Sequence, residues 1–338
     1  FNQFKIDPLS EIRNAGIVTN GEVYWVSSTL DSDHTVRTDN LGRKVVRTSL
    51  QDAIDQVETD QNDYVLVIPT DGGTVRTLGT AVDVNEDRVH ILGLGAKPAP
   101  MAYNGLTFRG YVAADGIDTE LLNVTGAGVE LGGLKFLGTS GTAAGGTMTA
   151  MMRIGTAASG TPHDLWVHDF HVENTSAAAD AGTTPIVTIV GDVAGGIQGL
   201  RFDRSWLGNF SWSPTAGLVS VSGTAGPTRA EFHDCTFVAD IQATTNSMIL
   251  LGTGVTEYNL FENCKFVNVE AGTAPASAIT GALLVDNPVM LWNCIGANVT
   301  AFGTDTELLI APNQAGTAGA GVHNPGIAFV GSSAVVVA

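Results

Sequence analysis

The sequence predicts an all-β fold, a right-handed parallel β-helix, and three observations carry this prediction. First, short apolar strings align without gaps on Cys235, Cys264 and Cys294, which are spaced by 29 and 30 residues. Second, the same frame continues towards the N-terminus through Ser205 and Phe170. Third, a separate Val/Ile/Leu-rich string precedes most of these copies, and its pattern is typical of short strands. Each repeat of about thirty residues therefore holds two or three strands, which suits coils stacked about 4.8 Å apart.

Two other repeat architectures fit this pattern less well. A β-propeller blade needs four strands and about 40–50 residues in each repeat. A β-sandwich would not align cysteines in a column. We therefore predict a solenoid of about seven coils over residues 47–325.

Equivalent positions of stacked coils form columns along the solenoid. The column of Phe170, Ser205, Cys235, Cys264 and Cys294 is predicted to point inward, with its three thiols reduced, because parallel stacked side chains do not reach disulfide geometry. A second inward column is predicted three residues earlier: Val167, Phe202, Phe232, Phe261 and Leu291. The polar two-residue step between the columns indicates a turn, since Asn and Asp tolerate left-handed backbone angles.

The N-terminal part of the chain departs from the repeat. Ser49 and Asp52 have the spacing of a capping box, and apolar residues then follow at helical spacing. We predict a short helix near 49–58 that covers the open end of the solenoid, as repeat proteins require. Residues 1–46 are predicted to form an attachment arm, and residues 326–338 an apolar tail.

Composition excludes several classes of partner. Only 15% of the residues are charged, and 34 acidic against 16 basic residues give a net charge of −18. Nucleic acid and anionic membrane surfaces are therefore not expected partners, because both require clustered Lys and Arg. No apolar run reaches the roughly 18–20 residues that span a bilayer. The Gly/Thr/Ala-rich segments between strands carry little charge, which suits packing against a neighbouring subunit.

At this point the chain resembles the pectate-lyase superfamily. The resemblance lies in the helix Ser49–Asp55, a strand ending at Ile68-Pro69, the string Val89–Gly95 and the stacked coils. The opening Gly21–Ser28 is similar to β-helix proteins among bacteriophage virion components. This resemblance implies a tailspike, tail-fibre or capsid-decorating role, commonly as a homotrimer, and does not by itself imply an enzyme.

The best candidates for catalysis lie in one column, His168, Asp203, His233 and Glu262. If they face outward, Asp203 and Glu262 lie two coils, or roughly 9–10 Å, apart, near the upper limit for an inverting glycosidase pair. Asp203, Glu262 and His233 are thus weak catalytic candidates, and the competing interpretation is that they are turn residues.

The other motifs of polysaccharide-cleaving relatives are missing from the sequence. It has no compact acidic triplet beside a basic residue and none of the Asn-Thr-Asp, Asp-Asp or Gly-His-Gly strings of polygalacturonases. The cysteines lie in a line rather than around a point, so no metal or other cofactor is predicted. Trp166 and Trp206 are predicted to face outward, where they could stack on sugars.

These observations favour a non-enzymatic structural protein on the exterior of a virion. We expect capsid decoration or a tail component, assembled as a homotrimer, with the arm of residues 1–46 binding other capsid or tail proteins. The alternatives are a tailspike-type polysaccharide depolymerase and a glycan-binding adhesin, either of which would bind host surface glycans.

Overall fold

The computed structural model describes most of the solenoid and parts of its connections. The described residues are 21–27, 46–68, 76–78, 80–94, 111–113, 120–138, 150–156, 162–174, 185–190, 197–208, 210, 217–222, 228–241, 243, 245–251, 256–270, 277–281, 289–299, 302, 309–310, 315–317 and 321–323. The predicted C-terminal tail, most of the predicted arm and most of the Gly/Thr/Ala-rich segments lie outside these ranges.

Short strands and one helix make up the described chain. In chain order they are β1 (Val23–Val26), β2 (Val46–Arg47), α1 (Leu50–Ile54), β3 (Asp63–Val67), β4 (Arg76–Leu78), β5 (Val82–Val84), β6 (Val89–Gly93), β7 (Tyr111–Ala113), β8 (Glu120–Val124), β9 (Glu130–Gly132), β10 (Lys135–Gly138), β11 (Ala150–Ile154), β12 (Trp166–His168), β13 (His171–Asn174), β14 (Val187–Val190), β15 (Leu200–Asp203), β16 (Trp206–Gly208), β17 (Val219–Ser222), β18 (Thr228–His233), β19 (Thr236–Ala239), β20 (Ile249–Leu251), β21 (Thr256–Glu262), β22 (Lys265–Asn268), β23 (Ile279–Gly281), β24 (Val289–Trp292), β25 (Ile295–Ala297), β26 (Leu309–Ile310), β27 (Ala315–Thr317) and β28 (Gly321–His323).

These strands form three long sheets, which we name A, B and C. Sheet A has the order β2-β1-β3-β6-β9-β12-β15-β18-β21-β24-β26, sheet B the order β4-β7-β10-β13-β16-β19-β22-β25-β28-β27, and sheet C the order β5-β8-β11-β14-β17-β20-β23. From β3 to β23 the described strands visit A, B and C in turn, as β18, β19 and β20 do, and they pair in parallel with their equivalents in the next coil. In the described part of sheet B, the antiparallel pairs are β25–β28 and β27–β28, at the C-terminal end of the sheet. The predicted parallel β-helix is confirmed.

The predicted inward column that contains three phenylalanines lies in the core. Phe202, Phe232 and Phe261 are buried, and their rings stack with centroids 5.2 Å and 4.8 Å apart. Each benzyl side chain thus buries its faces against the same residue type one coil away, which contributes to the hydrophobic stabilisation of the interior. A similar stack joins Phe237 and Phe266 beneath sheet B, at 5.0 Å.

The predicted inward column of cysteines is also confirmed. Cys235, Cys264 and Cys294 are buried and unbridged. Their Sγ atoms donate to carbonyl oxygens of the preceding coil, at 3.5 Å for Cys235 to Phe202, 3.2 Å for Cys264 to Phe232 and 3.2 Å for Cys294 to Phe261. Burial, with the neighbouring thiols, raises the pKa of Cys264. These thiols are therefore small core side chains.

The polar step between sheets A and B is the predicted turn. Its first residue ends the sheet A strand, and its second residue has a positive φ in each of these coils: Asp169 48°, Arg204 48°, Asp234 54°, Asn263 54° and Asn293 52°. The earlier coil has Gly133 at this position, with φ 66°. Side chains also join successive turns, since Asn293 Nδ2 donates to Asn263 Oδ1 at 2.7 Å.

The predicted helix forms, and its apolar face is buried. Ser49 caps α1, whose residues Leu50, Ala53 and Ile54 belong to the main core cluster. The helix contacts β1, β2, β3 and β5 near the N-terminal end of the sheets.

The structure departs from the prediction for part of the arm. Strand β1 is paired in parallel with both β2 and β3, so it is a strand of sheet A rather than a piece of a separate arm. Its Tyr24 and Val26 are buried in the main core cluster. The reason is physical: alternating apolar residues bury one face, and the first sheet strand of the repeat offers an edge for backbone pairing. Residues 1–20 and 28–45 lie outside the described ranges.

Candidate site on the outer face of sheet A

The register of sheet A arranges its outward side chains in two columns. The first column holds Tyr64, His90, Glu130, Trp166, Arg201, Glu231, Leu260 and Met290. The second holds Leu66, Leu92, Gly132, His168, Asp203, His233, Glu262 and Trp292. The predicted alignment of His168, Asp203, His233 and Glu262 is therefore confirmed. We call the polar middle of these columns, with Asp169 and Arg204 of the adjoining turn, the ionic belt: His90, Glu130, Trp166, His168, Asp169, Arg201, Asp203, Arg204, Glu231, His233 and Glu262.

One half of the ionic belt is a continuous chain of ionisable groups. Glu130 accepts from His90 Nδ1 at 2.6 Å and from His168 Nε2 at 2.9 Å. The other ring nitrogen of His168 lies 3.1 Å from Asp169, and Asp169 accepts two hydrogen bonds from Arg204 at 3.0 Å and 2.7 Å. Since carboxylates only accept, both His168 nitrogens face groups that require a donor, which favours the imidazolium form.

This arrangement changes the pKa of both central groups. Burial by itself would raise the pKa of Glu130, but the hydrogen bonds and charges of His168 and His90 outweigh it and lower the pKa from 4.5 to about 2. Burial likewise opposes the charged form of His168, yet its bonds to Glu130 and Asp169 raise its pKa above 6.5. Glu130 is therefore held as an anion, which does not suit a general acid.

A glycine makes room for this chain. Gly132 lies directly beside His168 in the register, and a Cβ at Gly132 would come within 2.4 Å of His168 Cε1 and 2.5 Å of its Nε2. The imidazole therefore lies across the bare backbone of the preceding coil, and from there it reaches Glu130. Any side chain at position 132 would displace the ring.

The structure does not leave Asp203 available for catalysis. The residue is on the outer face, but it is only 3% exposed. Trp166 Nε1 donates to its Oδ2 at 2.6 Å, and Arg201 Nε donates to both carboxylate oxygens at 3.0 Å and 2.8 Å. Asp203 lies in the predicted outward column, but Trp166 and Arg201, its neighbours in the other column, cover its carboxylate.

The remaining candidates, His233 and Glu262, are also bonded to each other. His233 Nδ1 lies 2.9 Å from Glu262, and its Nε2 lies 3.1 Å from Glu231. His233 also stands between Asp203 and Glu262 in the column. Both ring nitrogens of His233 are therefore engaged by carboxylates.

Tryptophans lie at two levels of this face. Trp166 is 40% exposed, and Trp292, beside Glu262 at the C-terminal end of the second column, is 42% exposed. The prediction for Trp166 holds, and Trp292, which was not among the tryptophans predicted to face outward, is exposed as well. Trp292 ends the strand in the same outward register as Glu262, a relation that the column alignment already contained. Trp206, on sheet B, is half-buried.

The arrangement can present aromatic faces and fixed charges, and its carboxylates are engaged within the belt. In the part of the chain that the structure describes, no three His, Cys, Asp or Glu side chains are grouped to hold a metal ion. No helix among the described residues is long and apolar enough to cross a membrane.

Sequence reasoning missed His90, Glu130 and Gly132, although extending the column alignment two coils towards the N-terminus would have found them.

Comparison with known proteins supports the parallel β-helix fold. No family model matches the chain, and no curated protein matches it. Among solved structures, the chain is similar to the pectate lyase Pel9A, with a TM-score of 0.52 and 10% identity over 87% of this chain and 69% of that one. A second similar structure is ORF18 of Geobacillus virus E2, with a TM-score of 0.41 and 11% identity over 93% of this chain and 66% of that one. At such identities the likeness to Pel9A concerns the fold alone: the chain has the parallel β-helix of the pectate-lyase type.

Proposed function

We propose that this protein is a non-enzymatic structural component of a virion, a capsid-decorating or tail protein displayed on the particle exterior. The observation that carries the non-enzymatic part is the state of the candidate catalytic side chains. Asp203 is bonded to Trp166 and Arg201, and His233 to Glu262 and Glu231. Two of these bonds, Trp166–Asp203 and His233–Glu262, join successive coils, so the ionic belt acts as a brace for the solenoid.

Two features of the sequence support the virion assignment. The string Gly21–Ser28 is similar to β-helix proteins of bacteriophage particles, and the chain is unusually poor in charge, at 15%. Low charge suits a protein that buries its flanks against other subunits. We extend the proposal to a homotrimer attached to the particle through residues near the N-terminus.

Imaging the particle tests the location directly. Electron cryo-microscopy of the source particle, with and without an antibody fragment against this protein, is expected to show density on the exterior of the capsid or tail. Sedimentation of the purified chain at micromolar concentration tests assembly, and a stable monomer would contradict the trimer. Density confined to the particle interior would contradict the proposed role.

A second candidate function, glycan binding or cleavage, rests on Trp166 and Trp292. Both indoles are exposed on one sheet face, and polar groups of the ionic belt lie between them, a combination that suits sugar rings. A screen against bacterial capsular and lipopolysaccharide glycans decides between the two functions. Glycan turnover that is lost in Glu262→Gln but kept in Thr236→Ala, a sheet B control, would establish a depolymerase and overturn the structural role. Binding without turnover that is lost in Trp292→Ala would establish an adhesin.

A further inference from the structure

A second cluster of ionisable groups lies on the outer face of sheet B. His171 of β13 is aligned with Lys135 of β10 and Trp206 of β16. His171 Nε2 lies 3.0 Å from a carboxylate oxygen of Glu173, whose other oxygen lies 3.0 Å from Lys135 Nζ. The histidine of this cluster is more buried than His168 of the ionic belt: His171 is 1% exposed and Glu173 is 9% exposed, whereas the His168 side chain is 17% exposed. An outward histidine of the solenoid is thus as buried as a core residue.

The bonding of His171 identifies its resting form. Lys135 and His171 both stabilise the Glu173 anion, so the carboxylate accepts and His171 Nε2 carries the proton. His171 Nδ1 is then the unprotonated nitrogen, and it is buried without a hydrogen-bond partner. A proton added there would create a buried N–H with no acceptor and a second cation near Lys135, and both changes cost free energy.

The charged surroundings of His171 in the described residues contain no further anion. Strand β10 contributes Lys135, β13 contributes Glu173 itself, and β16 contributes no ionisable side chain. On β11, Arg153 is turned to Glu120 of sheet C, with which it is paired at 3.5 Å. The carboxylate of Glu173 is therefore bonded to two basic groups, Lys135 and His171.

We infer that His171, Glu173 and Lys135 form an acid-sensitive latch, in which protonation of His171 displaces the Trp206 side chain from the outer face of sheet B. Two aromatic residues pack at this place. The indole of Trp206 lies 5.9 Å from the His171 ring between centroids, and Phe210 meets Trp206 edge-on at 6.0 Å. Since the buried imidazolium has no second acceptor, the route to hydrate it is displacement of Trp206.

The sign of the pH dependence follows from the burial. Burial lowers the pKa of His171, and the charge of Lys135 lowers it further, against the opposing bond to Glu173. An opened His171 takes up its proton near its ordinary pKa of about 6.5, whereas the closed one does not. The closed form is therefore fully stable above about pH 6.5 and weakens as the pH falls below that value.

Hydrogen exchange followed by mass spectrometry tests the latch on the intact chain. Between about pH 7.5 and about pH 5, after correction for intrinsic rates, protection of peptides over β10, β13 and β16 is expected to fall several-fold, because protonation of His171 is linked to opening. Peptides over β12, β15 and β18 of sheet A are expected to keep their protection. His171→Gln retains a donor towards Glu173 but does not titrate, so it should remove the fall, while the matched control His233→Gln on sheet A should leave it in place.

A fall that persists in His171→Gln, or no fall in the wild type, would overturn the inference. Should His171→Gln not fold, histidine NMR on the wild-type protein decides. The latch requires a His171 that stays neutral to a lower pH than His168, with its protonation coinciding with the increase in exchange. A His171 that titrates at or above about pH 6.5 would refute it.

Discussion

The outer faces of sheets A and B each hold a histidine bonded to a carboxylate, but the histidine pKa is raised on sheet A and lowered on sheet B. His168 on sheet A lies between two carboxylates, Glu130 and Asp169, and its pKa is raised. His171 on sheet B, three residues later, shares one carboxylate with Lys135, and its pKa is lowered by burial. The number of neighbouring carboxylates and the burial of the ring, rather than its position in the coil, therefore set the direction of the pKa shift of a histidine on this solenoid.

The two histidines consequently link stability to pH with opposite signs. The contribution of His168 is fully present below its ordinary pKa of about 6.5 and is lost as the pH rises through its raised value in the folded protein. The contribution of His171 is present above about pH 6.5 and is lost below it. Four substitutions test how far this contrast between the faces extends.

The largest effect is expected from removing the shared anion of sheet B. Glu173→Ala leaves Lys135 and His171 without their common partner beneath the cover, which should cost about 3–5 kcal/mol of unfolding free energy. Glu262→Ala on sheet A is the matched variant. Its side chain is 38% exposed, so the loss should stay below about 1 kcal/mol. Urea unfolding near neutral pH measures both, and equal losses would remove the distinction between a covered and an open face.

The next effect concerns acid stability of sheet A. Because the pKa of Glu130 is lowered to about 2, its contribution is present above its ordinary pKa and is lost as the pH falls from 4.5 towards 2. At about 1.4 kcal/mol for each pKa unit, wild-type protein should lose about 3 kcal/mol over that range through this residue. Glu130→Gln should be less stable at neutral pH and lose correspondingly less on acidification. Parallel pH profiles for the two proteins would show that Glu130 is not the responsible group.

A smaller effect is expected from filling the space under His168. Gly132→Ala brings a methyl group within 2.4 Å of the imidazole, which must move away from Glu130. We expect a loss of about 2 kcal/mol and a His168 pKa that returns towards its ordinary value. In a His168→Ala background the same substitution should cost much less, since the clash is gone. An unchanged His168 titration in Gly132→Ala would mean that the ring does not lie over residue 132.

The smallest effect lies in the turn that separates the two faces. Asn293 has a φ of 52° and bonds Asn263 of the preceding coil. Asn293→Ala should cost about 1–2 kcal/mol through left-handed strain and the lost hydrogen bond. Asn293→Gly relieves the strain and should cost less. Equal losses for glycine and alanine, measured by thermal unfolding, would show that the lost side-chain hydrogen bond outweighs backbone geometry.

Much of the architecture was readable from the sequence because a solenoid repeats itself. The cysteine frame predicted both inward columns, the left-handed turn residues and the register that aligns His168, Asp203, His233 and Glu262. Local chemistry was enough for α1, whose capping serine and apolar spacing act over a few residues. The strand β1 was not predicted to join sheet A, because its sequence has no repeat partner. It pairs with the edge of β3, and that edge exists only in the folded sheet.

The sequence by itself determined which residues share a column, because the side-chain period of a strand and the length of the repeat are local quantities. Only the tertiary structure decided what those residues do. Trp166 and Arg201 donate hydrogen bonds to Asp203 and cover its carboxylate. Gly132 leaves space for the ring of His168, and His171 on sheet B is buried. Each of these outcomes depends on contacts between coils or between a strand and its cover. Burial and the number of nearby charges, which set pKa values and accessibility, are properties of that packing.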